Sequence, residues 1–258
     1  MAELNRHKLN FETFTLEYLL LFSERKTLGI TVKPNEEVIV KAPMNTEIDL
    51  IEQKIEEKIS WILRQKNYFR SFGDPTPKRR FISGESHLYM GRQYILRVKR
   101  GKKNEVKYKG RYFEVECTDK NKVEKLMKDW YHARAKIKFP EIAEPIVAIF
   151  ENKGVSPSGI YIMKMKNRWG SCTQNGKIIL NSELIKAPRP CIEYVIMHEM
   201  CHLLHPNHTK EFFALLTKLM PDWEKWKNRL EKIMLKYGIS SYNMNFPEDW
   251  IERFNKLK

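Results

Sequence analysis

An α+β fold is predicted for this chain of 258 residues: a β-rich region over 1–117 that holds one long helix, packed on a helical region over 118–258 that carries a small sheet. Three observations predict it. Apolar residues alternate with polar ones in 28–42 and 94–98, the period of half-buried strands. They recur every three or four residues in 48–62 and 123–137, the period of a helix face. No Gly/Ser-rich linker or internal repeat is visible, so the two regions are expected to pack together.

Residues 9–42 read as strands, with Leu28, Ile30 and Val32 on one face, Val38, Val40 and Ala42 on another, and Pro34-Asn35 as the turn between them. Thr46 and Asp49 have the spacing of a capping box at the start of a helix over 46–72. Its buried stripe is Ile48, Ile51, Ile55, Ile59 and Ile62, and Gly73-Asp74-Pro75 ends it. Strands return over 81–116, with a basic hairpin turning at Gly101. Thr118 is the expected cap of the next helix, which carries Val123, Met127, Trp130 and Arg134 on one side and should stop at Pro140. A short helix over 141–152, strands over 160–165 and 177–181, and a helix over 191–204 follow. That last helix is apolar on nearly every side, as a core helix is. Pro206 stops it, and helices over 209–219 and 221–237 complete the chain, the second with Trp223, Trp226, Leu230, Ile233 and Tyr237 on its stripe and Gly238 just beyond.

Composition excludes several classes. The longest apolar runs, such as 18–22 and 146–150, are far short of the ~20 residues that cross a bilayer. The first residues lack the apolar stretch of a signal peptide, and Cys117, Cys172, Cys191 and Cys201 have no paired spacing. A cytoplasmic protein with reduced thiols and no membrane association is therefore expected. The net charge is +15, and residues 97–111 hold eight bases against one acid. Such a ribbon attracts phosphate backbones, and Lys99, Arg100, Lys102 and Lys103 are its candidate nucleic-acid contacts. A solvated turn that keeps the protein soluble carries charge of the same kind.

The chemistry lies in His198-Glu199-Met200-Cys201-His202. Residues four apart share a helix face, so His198 and His202 can bind one zinc ion, while Glu199 reaches a water on that ion without being a ligand. A catalytic zinc takes three protein ligands and leaves one position open. His208, six residues on and just past Pro206-Asn207, is the expected third, with Glu224 or Glu231 as alternatives. His205 is open to three roles: fourth ligand, transition-state donor or surface residue. Four of the seven histidines fall within eleven residues of a segment otherwise fit for a core. Burying these groups is costly unless something satisfies them, and a metal does.

A second unusual stretch is 166–172, KNRWGSC, followed by Asn181. It reads as a turn between strands or as the rim of a cleft in which Arg168 holds an anionic group and Trp169 fills an apolar gap. Tyr194, Arg168 and His205 are candidate cleft or oxyanion-stabilising residues.

RWGSC (168–172), the LN pair (180–181) and YVIMHEMCHLLHPNHTKEFF (194–213) resemble the YgjP-like metallopeptidase family and, more distantly, SprT-like proteases. SERKTLGITVKPNEEVIVKAP (23–43), WIL (61–63) and SGESHLYMGRQYIL (83–96) resemble the same family's N-terminal region, so that the likeness spans roughly 16–237. The resemblance implies a zincin-like domain of minimal gluzincin type over 118–258, with zinc held by His198, His202 and His208 and with Glu199 as the catalytic residue. Metzincins share the downstream spacing but carry glycine where this chain has His205. A peptide is the substrate the resemblance implies first. Some YgjP-like proteins are described as hydrolysing nucleoside triphosphates, notably UTP, and some occur beside restriction systems; SprT-like relatives cleave proteins on DNA. A nucleic-acid-associated protease or binding module is the remaining alternative.

Overall fold

Period-two burial builds three sheets and period-3.6 burial six helices in the computed structural model, which describes residues 5–33, 35–71, 79–165 and 168–236, with side chains as far as 233. The mixed α+β class is as the sequence predicts. Two compact units divide at the segment 72–78, whereas the sequence reading sets its boundary at 117/118.

In the first unit, β1 (Asn5–Asn10), β2 (Thr15–Ser23), β3 (Gly29–Val32) and β4 (Val38–Pro43) form a sheet of order β1-β2-β4-β3. β3 and β4 are the expected hairpin, with Asn35 in its turn; Pro34 lies outside the described residues. The expected single helix is two, α1 (Ile48–Glu57) and α2 (Ile59–Arg70), parted at Lys58, where the backbone leaves the helical region. Ile51, Ile55 and Ile62 are fully buried. The capping box does not form: Glu47 is the cap residue, and the Thr46 hydroxyl donates instead to the Pro43 carbonyl at 2.9 Å.

In the second unit, β5 (Ser86–Tyr89), β6 (Arg92–Arg100), β7 (Glu105–Lys109) and β8 (Tyr112–Cys117) take the order β5-β6-β8-β7. β6 and β7 are therefore not the expected hairpin. β8 lies between them, parallel to β6 and antiparallel to β7. The order and strand directions repeat those of the first sheet, a repeat of topology that leaves no repeat in the residues.

Asp119, not Thr118, caps the turn that follows, accepting from the Asn121 N–H at 3.0 Å. α3 (Val123–Glu151) then runs unbroken through Pro140 and Pro145, where the sequence reading has two helices. Each proline removes a hydrogen bond from the carbonyl four residues back, but both are exposed, so water can replace it. Met127, Tyr131, Ala135, Phe139, Ala143, Ile146 and Phe150 are buried along the same helix and hold it together.

β9 (Gly159–Met163), β10 (Gly170–Cys172) and β11 (Lys177–Asn181) make a small sheet of order β10-β11-β9. The short turn of helix Ser182–Lys186 leads into α4 (Arg189–Cys201), followed by α5 (Lys210–Leu219) and α6 (Trp223–Lys236). Tyr237 and Gly238 lie outside the described residues. The β5–β6 turn anchors the entry to α4. The Met90 and Gly91 N–H groups donate to the Ile185 and Lys186 carbonyls, and Gly91, at φ +77°, sits where a Cβ would lie 2.7 Å from Pro188. No helix among the described residues is long and apolar enough to cross a membrane.

Candidate metal centre

α4 starts after Pro188, with Pro190 in its first turn, and buries Cys191, Ile192, Val195, Ile196, Met200 and Cys201. This grip fixes the helix and places His198, Glu199 and His202 at its C-terminal end. The chain then doubles back. The N–H groups of Leu203, Leu204 and His205 bond to the carbonyls of Met200 and Cys201, and the Thr209 N–H bonds to the Asn207 carbonyl before α5 starts. The reversal returns His208 to the end of α4. One ring nitrogen from each of His198, His202 and His208 then lies within 4.8 Å of the others.

Phe212, fully buried on α5, backs all three imidazoles, its ring centroid 5.0, 4.6 and 4.8 Å from those of His198, His202 and His208. Its position one turn past His208 marks it in the sequence as an inward-facing residue, though not as the floor of a site. Burial holds all three imidazoles neutral. It pushes His198 well below the ordinary histidine value, with further repulsion from His202, His208 and Lys227, and it takes His208 down to about 4. It also lowers His202, against the opposing pull of the His205 and Pro206 carbonyls.

The residues fit a zinc ion. Three neutral imidazoles are the donor type that zinc takes. The Nε2 atoms of His198 and His208 face each other at 2.9 Å, close to the roughly 3.3 Å that two nitrogens span on one tetrahedral zinc. The ring of His202 is oriented from behind, its Nδ1 lying 3.1 Å from the His205 carbonyl oxygen, which leaves Nε2 as the free donor. His205 thus serves the cluster through its backbone, and its imidazole is not among the converging rings.

Glu199, next to His198 on α4, is buried. Its carboxyl rests against β10: a Cβ on Gly170 would lie 2.5 Å from Glu199 Oε1. The Cys172 N–H donates to it, and the Arg168 charge acts on it. Burial outweighs both and raises its pKa to about 8. The stretch that holds Gly170 is not a mere turn. β10 is an edge strand, paired only with β11 among the described residues. Buried Asn181 ties down the approach to it, donating from Nδ2 to the carbonyls of Met165 and Arg168 at 3.0 Å each, while its backbone N–H donates to the Trp169 carbonyl at 2.8 Å.

Arg168 is exposed and donates to the Ser171 hydroxyl at 3.2 Å; Lys166 lies outside the described residues. Trp169 is half-buried on the same approach. Tyr194 is buried, one turn before His198, its ring 6.0 Å from that imidazole and stacked on Trp223 at 6.1 Å. Glu224 and Glu231 do not join the triad. Glu231 lies on the buried side of α6 instead, 3.4 Å from the equally buried Lys227, with its second oxygen unbonded among the described residues. The stripe of α6 is thus Trp223, Lys227, Leu230 and Glu231, while Trp226 is half-exposed. All four cysteines are unpaired thiols. Lys99, Arg100, Lys102 and Lys103 are exposed at the end of β6 and in the turn after it, on a different sheet from β10.

A family model described as YgjP-like, metallopeptidase domain matches residues 26–233. Among curated proteins none matches the chain.

Proposed function

The chain belongs to the YgjP-like family through its metallopeptidase domain, and on that footing we propose that it is a zinc-dependent peptidase. Family membership supports a metal-dependent hydrolase. The convergence of His198, His202 and His208 beside a buried Glu199 carries the finer reading. His198, His202 and His208 would hold the ion. When bound, zinc would polarise the scissile carbonyl, lower the pKa of a water to about 7 and, by its positive charge, favour the ionised form of the Glu199 carboxyl.

The remaining steps belong to the chain. Glu199 takes the proton of the attacking water and delivers it to the leaving amine. The Cys172 N–H and the Gly170 backbone hold the carboxylate in place for both transfers. Phe212 closes the rear of the cluster to water. The purified protein should carry one zinc per chain by elemental analysis, and Glu199→Ala should retain that zinc while losing peptide hydrolysis. A metal-loaded Glu199→Ala protein with full activity would refute the mechanism.

Exposed Arg168, whose charge reaches Glu199, favours a second reading: hydrolysis of a nucleoside triphosphate between phosphates on the same centre. Chromatography of UTP incubated with the protein, with and without chelator, separates the two readings, because a peptidase leaves UTP intact.

A further inference from the structure

A cavity of about 340 Å³ opens between the free edge of β7 and α3, lined by Lys107, Tyr108, Lys109, Glu114, Trp130 and Arg134. We infer that this cavity takes one base of a single-stranded nucleic acid, an interaction separate from the candidate metal centre and independent of the proposed hydrolysis.

The walls are aromatic. Tyr108 is 45% exposed, and its ring meets that of Trp130 at 70° with centroids 5.9 Å apart. Two rings at this angle form a corner in which a flat ring can stack on one wall and set its edge against the other. A core has no need to leave a tyrosine so open, since Phe113 already packs on Trp130 from the inner side at 4.9 Å.

The rim is cationic. Arg134 donates to the Tyr89 hydroxyl at 3.2 Å, and its guanidinium carbon lies 5.9 Å from the Tyr108 ring centroid and 6.0 Å from that of Trp130. Among the described residues neither Arg134 nor Lys109 has a carboxylate within ion-pair distance, whereas Lys107 pairs with Glu105 at 2.9 Å. Glu114 is the one acid in the lining, so positive charge prevails there.

The same sheet extends the charge beyond one nucleotide. Arg97 and Lys99 stand exposed on β6, beyond Glu114 and Glu116 of the intervening β8 and about 10 Å from β7 at ordinary strand spacing. That span suits successive phosphates of an extended strand better than the phosphates of a free nucleotide. A duplex cannot enter the corner, because its bases are already stacked.

The test is fluorescence anisotropy of a labelled oligothymidylate of about ten nucleotides with the full chain. Wild type and Tyr108→Phe should bind alike, Tyr108→Ala should weaken binding about tenfold, and Lys109→Glu should weaken it and reduce its salt dependence. Lys125→Glu, which alters an exposed lysine on α3 outside the cavity lining, should have no effect. Circular dichroism identifies any variant that fails to fold, and Lys109→Glu, at an exposed position, keeps the test open if Tyr108→Ala does. The inference is overturned if folded Tyr108→Ala and Lys109→Glu both bind the strand as wild type does. It is also overturned if a blunt duplex of the same length loses as much affinity on Tyr108→Ala, or if UMP or a poly-glutamate peptide displaces the strand at equal concentration.

Discussion

Gly170 and Glu199, 29 positions apart in the chain, are in van der Waals contact: the space a side chain at 170 would fill is taken by the Glu199 carboxyl, whose Oε1 would lie 2.5 Å from the added Cβ. Gly170→Ala should therefore displace the carboxyl while leaving the histidines on α4 and after it untouched. Hydrolysis should fall about 100-fold or more, the scale on which a misplaced general base acts, with metal content unchanged. A Gly170→Ala protein with wild-type kcat would show that the contact does not position Glu199.

His205 and His208 should behave differently despite their proximity. His205 holds the His202 ring with its backbone carbonyl, so His205→Ala should keep the metal. His208 contributes a ring nitrogen to the cluster, so His208→Ala should lose zinc and, with it, the stabilisation that bound metal gives the folded state. Elemental analysis, with Tm measured before and after chelation, checks both: chelation should lower the Tm of wild type and His205→Ala, and leave that of His208→Ala unmoved.

Lys227 and Glu231 face each other in an apolar setting, where burial takes the lysine down to about 7 and the glutamate up to about 8. Lys227→Met alone should cost about 2 kcal/mol, because it leaves the buried Glu231 carboxyl without its neighbour. The cost has a sign in pH. The folded pKa of Glu231 lies above its unfolded value of 4.5, so the stability of that variant should fall as pH rises from about 4.5 to about 8. The double change Lys227→Met/Glu231→Leu should be as stable as wild type or more so. Urea titrations at several pH values measure each.

His87 is buried, 3.4 Å from Glu85, and burial lowers its pKa to about 4, helped by Arg79 and Lys186 and opposed by Glu85. Because the folded value lies below the unfolded 6.5, the unfolded chain binds more protons between the two, and stability drains away as pH falls from about 6.5 to about 4. His87→Gln should flatten that part of the profile by on the order of 3 kcal/mol, with no change above pH 7. An unchanged acid limb would place the loss elsewhere.

Local signals in the sequence translated well, and long-range ones did not. The alternation of Val38, Val40 and Ala42 and the spacing of Ile51, Ile55 and Ile62 report burial directly, because each residue's face follows from its position in the element. The histidine spacing was legible for the same reason. Strand order was not: nothing in 92–117 tells β8 to enter between β6 and β7. Pro140 and Pro145 signal a break that the buried stripe of α3 overrides. Nothing in the sequence marks Lys227 for burial, since such side chains are seldom buried, and Glu231 enters it only as an alternative zinc ligand. The Gly170–Glu199 contact was hidden because it joins segments whose meeting depends on the whole second unit.

The three converging histidines span only eleven consecutive positions, 198 to 208. Closing so short a loop loses little chain entropy, and the loss grows slowly with loop length. Glu199, by contrast, is held by a strand that arrives from nearly thirty residues upstream. The proposed ion site is thus local to one helix and its reversal, while the placement of the proposed base depends on a second element, so loss of the small sheet should cost reactivity before it costs the metal.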